Sequence, residues 1–446
     1  MVFVHCGSNF EAYMSQNLKF FLFITGILLA IDFYTWQGVK FLSTSLTERS
    51  RDGIKYIYWG YTGLSFLFFL TWRMGWMQVS PGIQKFVLTI VFVIFLAKII
   101  WCIFLLVDDV VRLFKWIVGK FQSQTPGSNE QVSGISRMKF LNYMGLGIGA
   151  TFMTSAVYGI TRGAHNYQVK RRTLKIKGLP EAFEGMTIVQ ISDVHSGSFW
   201  NHDAVKKGVE LLNKQQADMV FFTGDLVNDV AGEMEPWKAM FSTIKAPMGV
   251  FSILGNHDYG DYFQWNDKNP NQQIGPQPDK SHMSIKQKEN LQKLIGTHKE
   301  LGWDLLLDEH RIIEKNGSKM AIIGVENWSA KVRFPKYGDL SKAYQGAENA
   351  DVKLLLSHDP SHWKAEVLTD YPDIDATFSG HTHGMQFGID SSHYRWSPVK
   401  FIYPEWIDLY SQGNQLLYVN RGFGYLGFPG RIGIFPEISV FTLRKA

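Results

Sequence analysis

Thr187-Ile188-Val189-Gln190-Ile191-Ser192 runs straight into Asp193-Val194-His195, a junction that sets the pattern for the second half of the chain. A short apolar run of strand length ends in an acid and a histidine, and the same event recurs along the chain. Met219-Val220-Phe221-Phe222-Thr223 leads into Gly224-Asp225, and the run 250–254 precedes Gly255-Asn256-His257-Asp258. The run 353–357 precedes His358, and 376–379 precedes Gly380-His381-Thr382-His383. Between these runs, segments such as 203–215 and 284–301 carry the apolar spacing of helices packed on a sheet. Buried strands alternating with helices predict an α/β domain. Ligand-type residues at the carboxyl ends of its strands converge on one sheet edge, where such folds place their sites.

The residue types at those ends point to metal chemistry. Imidazole nitrogen and carboxylate oxygen suit divalent Mn, Fe and Zn, and two such ions about 3.5–4 Å apart can share a carboxylate and activate water for in-line attack on phosphorus. Candidate metal ligands are Asp193, His195, Asp225, Asn256, His358, His381 and His383. The positive pair also offsets charge on the phosphoryl oxygens and the leaving group.

Asp-x-His, Gly-Asp, Gly-Asn-His-Asp, a lone His and Gly-His-Thr-His, in that order over residues 166–446, resemble the calcineurin-like metallophosphoesterase family. The resemblance implies a β-sandwich flanked by helices, two divalent metal ions (Mn, Fe, Zn or Mg), and hydrolysis of a phosphomonoester, phosphodiester or pyrophosphate. It places one metal on Asp193, His195, Asp225 and His383 and the other on Asp225, Asn256, His358 and His381, with Asp225 bridging. His257 becomes the catalytic histidine that stabilises the transition state or protonates the leaving oxygen, and Asp258 the partner that orients it. Gly384 to Gln386, the segment from Leu417 to Gly422, and Pro429, Arg431, Pro436 and Glu437 resemble bacterial membrane-associated members with an exported catalytic domain. Two positions depart from that pattern: Asn228 stands where a second aspartate is usual, and Met385 where glycine often stands.

Before residue 165 the pattern changes. The chain has 446 residues, 46% apolar and 15% aromatic, enough for a core and for membrane spans. Apolar stretches at 18–36, 54–72, 86–107 and 140–160 each approach the roughly 20 residues that cross a bilayer. An N-terminal α-helical transmembrane region of about four helices (1–165) followed by the catalytic domain (166–446) is therefore expected. Tyr56, Tyr58, Trp59 and Tyr61 at one end of the second stretch and Trp72 and Trp76 at the other read as interfacial aromatic belts. Gly145 and Gly149 in the fourth have helix-packing spacing. Asp32 and Lys98 are read as structural, with Lys98 reaching toward the interface. Arg49, Arg51, Lys55, Arg112, Lys115, Lys120, Arg137 and Lys139 cluster beside one set of span ends, against Lys19, Arg73, Lys85 and Arg162 beside the other, which predicts a multi-pass membrane protein with its catalytic domain outside the cytoplasm, and the resemblance implies a bacterial one. Ser136-Arg137-Met138-Lys139-Phe140-Leu141 resembles a twin-arginine export signal with Met138 in place of the second arginine. Lys170, Arg171 and Arg172 after the fourth stretch run against that orientation. The net charge of +5 is modest and forms no dense basic block, so no nucleic-acid partner is expected. Cys6 and Cys102 alone support neither a disulfide framework nor a cysteine metal site.

The other histidines, His5, His165, His202, His282, His298, His310, His362 and His393, are expected to be solvated, and Arg421 and Arg431 to pair at the surface. Residues 259–282 read as a loop or a substrate lid. Three functions compete: the hydrolase, a catalytically silent membrane-anchored binding or assembly domain, and a transporter or sensor with an accessory hydrolase. The silent domain predicts gaps among the seven ligands, and the transporter predicts polar residues facing one another within the spans. The substrate expected is a phosphate ester, lipid-linked or from the cell envelope, with membrane lipid as neighbour. Resemblance to bacterial enzymes that cleave a UDP-linked acylated sugar favours that class, although such precursors are cytoplasmic.

Overall fold

The computed structural model describes residues 5–73, 81–121, 137–267 and 279–446. Trp76, the linker 122–136 and the part of the expected lid over 268–278 lie outside the described residues. Contacts divide the chain into two compact units, Met1–Val157 and Tyr158–Ala446.

The first unit is helical: α1 (His5–Leu42), α2 (Glu48–Arg73), α3 (Pro81–Phe121) and α4 (Arg137–Thr161). Each apolar stretch lies within one helix. Among the described residues, Phe86–Lys120 in α3 alone is long and apolar enough to cross a membrane. The tyrosines and tryptophans of α2, and the glycines and hydroxyl residues of α4, dilute the apolar content of those helices. Gly145 and Gly149 face α3, as their spacing suggests: a Cβ at Gly145 would lie 2.6 Å from Trp101 Cδ1, and one at Gly149 3.2 Å from Ala97 O. Trp101 Nε1 donates to Asn142 Oδ1 at 2.9 Å across the same contact. Lys98 does not reach outward. It forms an ion pair with Asp32, which also accepts from Thr62 Oγ1 at 3.2 Å and Tyr58 OH at 3.3 Å. A buried carboxylate left alone would cost several kcal/mol, so the pairing ties α1, α2 and α3 together.

The second unit is a two-sheet sandwich. The first sheet runs β1 (Gln168–Ile176), β14 (Glu437–Lys445), β2 (Thr187–Ile191), β3 (Met219–Thr223), β4 (Val250–Ile253) and β5 (Asp304–Leu305). The second runs β12 (Asp408–Gln412), β13 (Gln415–Val419), β9 (Ala376–Ser379), β8 (Val352–Leu356), β7 (Ser318–Gly324) and β6 (Glu309–Lys315). A two-stranded ribbon, β10 (Ile389–Asp390) and β11 (Arg395–Trp396), lies apart from both. Strand alternation builds the layers. Ile188, Phe221, Phe251, Leu354 and Phe378 point between the sheets, while Val189, Val220 and Phe222 point outward. On the outer face of the first sheet, α5 (His202–Asn213), α6 (Lys238–Phe241) and α7 (Ile285–Leu301) bury Val205, Val209, Leu212, Phe241, Leu291 and Leu294. On the second sheet, α8 (Leu340–Tyr344) buries Leu340 and Ala343. The α7 helix starts where Ser284 accepts from Gln287 N and stops at Gly302, whose φ of +78° ends it in the left-handed conformation. The domain is thus the expected helix-flanked β-sandwich, with β2, β3 and β4 parallel and their carboxyl ends aligned.

Candidate active site

Backbone conformation at the strand ends aims the ligand-type side chains inward. Asp193, His195, Asp225, His381 and His383 all have positive φ, between 47° and 72°. Such angles are uncommon for non-glycine residues and persist where the surrounding structure imposes them. Here the strand-end loops bond to one another: Asp193 N donates to Gly224 O at 2.8 Å and His195 N to Asp225 O at 3.1 Å. His381 N donates to both Asp193 carboxylate oxygens at 3.0 Å. Gly255 is required by a close approach, since a Cβ there would run into the Asp225 carboxylate.

The donors gather in two overlapping groups. In one, His195 Nε2 lies 3.0 Å from His383 Nε2 and 3.5 Å from Asp225 Oδ2, and His383 Nε2 lies 3.2 Å from Asp193 Oδ1. In the other, His358 Nε2 lies 3.2 Å from Asp225 Oδ2 and 3.3 Å from His381 Nδ1, which is 2.7 Å from Asn256 Oδ1. Spacings of this size suit ligands each about 2.1 Å from a shared cation. Asp225 reaches both groups. Asp193, His195 and His383, and again Asp193, Asp225 and His358, bring their ligand atoms within 4.8 Å of one another, all buried. Among the described residues the His195 Nδ1 atom has no hydrogen-bond partner, and the donor set of buried imidazole and carboxylate suits a divalent cation. These residues fit the divalent-metal binding that the family resemblance implies.

Burial and mutual charge set the protonation of the cluster. Burial, with the Asp225 charge adding, raises the Asp193 carboxyl to about 6. Burial lowers His195 to about 3, His381 to about 4, and His383 well below its ordinary range. These three imidazoles are therefore neutral near pH 7, the form that ligates. Burial opposes the charge on His358, yet the Asp225 carboxylate holds that imidazole up at about 10. Against burial, His358 and His257 hold Asp225 well below the usual carboxylate range.

Second contacts fix ring orientations. The His358 Nδ1–H donates to Thr223 O at 2.7 Å, leaving Nε2 to face the cluster. His257 is half-buried beside the ligands; its Nδ1 lies 2.7 Å from Asn228 O and its backbone N–H donates to Asp225 Oδ1 at 2.8 Å. Asp258 does not orient His257 as expected. Its carboxylate accepts the N–H groups of Gly255 and Asp225, both at 2.9 Å, and Leu226 at 2.8 Å, clamping two strand-end loops together. The orienting group for His257 is a backbone carbonyl, so Asn228 in place of the usual aspartate leaves that contact intact, while its side chain bonds Ser198.

Several residues at the site escaped the sequence reading. Tyr403 OH lies 2.9 Å from His381 Nε2 and 3.0 Å from Asp359 Oδ2, and Asp359 also accepts from Ser329 Oγ at 2.6 Å. Tyr262 OH accepts from Asn256 Nδ2 at 3.1 Å, which turns Asn256 Oδ1 toward His381. Arg431, expected at the surface, is fully buried. Its guanidinium donates to Gly424 O and lies 3.1 Å from His383 Nδ1. Arg421 is buried too, paired with Glu437 and Asp390. A lone arginine in a glycine-rich segment signals neither outcome, because partners such as His383, Asp390 and Glu437 come from elsewhere in the fold. His298 and His362, expected to be solvated, are also buried, bonded to Ser252 Oγ at 3.0 Å and Ser357 Oγ at 2.8 Å.

Comparison with known proteins follows the same division of the chain. Residues 18–164 match the family model described as "Probable Calcineurin-like phosphoesterase, transmembrane domain", and residues 186–385 match "Calcineurin-like phosphoesterase". The chain is similar to the metallophosphoesterase YkuE of Bacillus subtilis, at 28% identity over 70% of this chain and 98% of that one. It is similar to a transmembrane protein with metallophosphoesterase domain from Danio rerio, at 25% identity over 96% of this chain and 90% of that one. It is similar also to the UDP-2,3-diacylglucosamine pyrophosphatase LpxG of Chlamydia muridarum, at 28% identity over 59% of this chain and 85% of that one.

Proposed function

Since the chain belongs to the calcineurin-like metallophosphoesterases and carries their transmembrane domain, we propose that it is a membrane-anchored hydrolase using two divalent cations to cleave an amphiphilic phosphate ester or anhydride. One cation is assigned to Asp193, His195, Asp225 and His383, the other to Asp225, Asn256, His358 and His381. The observation that carries this reading is the convergence of all seven donors on one site, with Asp225 reaching both groups. A silent binding domain would leave gaps in that set.

When bound, the cation pair supplies positive charge that makes water a nucleophile near neutral pH and offsets charge on the phosphoryl oxygens. The chain's own groups do the rest. Asp225 accepts the His257 backbone N–H, which keeps that imidazole beside the cluster. With Nδ1–H given to Asn228 O, His257 turns Nε2 outward to hand a proton to the leaving oxygen. Tyr403 and Asp359 hold His381 with Nδ1 inward.

The substrate class rests on the membrane unit and on likeness to a relative named for a diacylated sugar nucleotide. The loop-charge bias supports a multi-pass chain with its hydrolase outside the cytoplasm, which favours a cell-envelope ester over a cytoplasmic sugar nucleotide. The test is hydrolysis of an aryl phosphate monoester and diester by the full chain, metal-stripped and reloaded, beside Asp225→Ala. Activity restored by metal and reduced at least about a thousandfold in the variant is expected. A folded, metal-loaded protein inert toward both esters and toward a lipid phosphate would overturn the reading.

A further inference from the structure

Three segments meet at His381 and carry apolar side chains into solvent. Val332 is fully exposed at 101%, Phe401 is 76% exposed, and Met385 and Ile402 are about half exposed, at 53% and 47%. Their roots are fixed at the site. Phe334 packs edge-on against His381 with ring centres 4.4 Å apart, and Tyr403 bonds the same imidazole. Phe334 also joins a small core of Val399, Tyr403, Trp406, Ile407 and Ile434, so the loops 330–336 and 398–404 are anchored while their tips project. Met385 holds its side chain outward at φ +56°, a left-handed position where glycine would be unstrained.

Three cations belong to the same two loops and lie over their aromatic rings. Lys331 Nζ lies 5.5 Å from the Tyr403 ring centre, the Arg333 guanidinium 4.7 Å from that of Phe334, and Lys400 Nζ 5.4 Å from that of Phe401. Among the described residues none of the three forms an ion pair. Val332 is flanked in sequence by Lys331 and Arg333, and Phe401 by Lys400, so exposed apolar tips alternate with cations along both loops. They match an apolar phase with negative charge at its boundary, into which the tips dip while Lys and Arg stay at the anionic headgroups.

We infer that loops 330–336 and 398–404, with Met385, form a collar that seats the catalytic domain on an anionic lipid surface and delivers an amphiphilic phosphoester from it to the site. This deepens the hydrolase reading and rests on it for the delivery step alone. Phe334 and Tyr403, which both contact His381, then link the lipid-facing tips to the site, so a phosphoryl headgroup reaches it while its chains remain in the lipid.

The test uses the full chain, with Cys6 and Cys102 replaced by serine, in nanodiscs of phosphatidylcholine with or without phosphatidylglycerol. A fluorophore is placed at Val332→Cys or, as a reference, at Ile285→Cys, an exposed position at the start of α7. Quenching by a lipid-borne spin label should be several-fold stronger at 332 than at 285 when phosphatidylglycerol is present. It should weaken with salt and in Arg333→Ala/Lys400→Ala. Equal quenching at both positions overturns the collar, as does quenching indifferent to phosphatidylglycerol and salt. Aryl phosphate hydrolysis by the same discs reports on the catalytic reading separately: its absence with quenching intact would sink the hydrolase and leave the docking surface standing.

Discussion

Tyr403 shows how much one side chain outside the ligand motifs can decide. Its hydroxyl accepts from the His381 ring and donates to Asp359, which fixes the tautomer that presents Nδ1 to the cluster. Partners of this kind are commonly worth 10–100-fold in metal affinity. Tyr403→Phe is therefore expected to weaken binding of the second cation about tenfold while the fold is retained, read by titration calorimetry of the stripped protein. Unchanged affinity would mean that Asp359 and Phe334 suffice. A second expectation concerns the proton on His358. Its pKa of about 10 without metal means that the imidazole is charged at neutral pH, and ligation must displace that proton. Calorimetry in buffers of different ionisation enthalpy should register about one proton released from this site per cation pair bound. In His358→Asn that component should vanish.

The element scale supplies the acid sensitivity of the domain. His298 on α7 is buried against Phe222 and Trp303, and burial lowers its pKa to about 3. The unfolded imidazole takes its proton near 6.5, so between those values only the unfolded chain is protonated. The sign follows: stability is present above pH 6.5 and falls by about 1.4 kcal/mol per pH unit as the pH drops toward 3. Denaturant titrations between pH 4 and 6 should show a slope shallower by about one proton in His298→Gln. An unchanged slope would show that this histidine charges without unfolding the helix. The sandwich itself depends on apolar contacts across the sheets, such as Phe221 against Phe378 at 5.1 Å between ring centres. That pair sets the separation of β3 and β9 and hence of the loops bearing Asp225 and His381.

At the scale of the whole molecule, two units with separate interiors are joined in one chain. The first is held by Asp32 with Lys98, Thr62 and Tyr58, and by glycines against Trp101; the second has its own inter-sheet core. Calorimetry of the detergent-solubilised chain should therefore show two transitions. A divalent cation at about 100 times its Kd adds about 2.7 kcal/mol to the unit that binds it, a rise in Tm of about 4–5 °C for a unit of this size. Only the transition of the hydrolase unit should move, and Asp32→Ala should lower only the other. A single transition that shifts as a whole would show that the two units unfold cooperatively.

The family resemblance implies the helix-flanked sandwich, whereas residue order alone settles the strand-end motifs, the buried strands with their helices, and the helical, membrane-associated first unit. Each of those rests on local order: apolar runs of strand length, histidines and acids at their ends, glycines spaced for helix contact. A ligand motif is a property of a few neighbouring residues, so Asp193, Asp225 and His358 could be read before any fold was known. The roles of Asp258, Arg431, Tyr403 and His298 could not, because each is set by partners distant in the chain. Asp258 binds N–H groups that include those of Asp225 and Leu226, 33 and 32 residues away. Arg431 is buried because the carbonyl of Gly424 and the ring of His383 surround its charge. Tyr403 reaches His381 from a loop that carries no metal-ligand pattern. Only the packing of the sandwich brings those groups within hydrogen-bond range, and burial there turns an ordinary polar residue into one that positions the site.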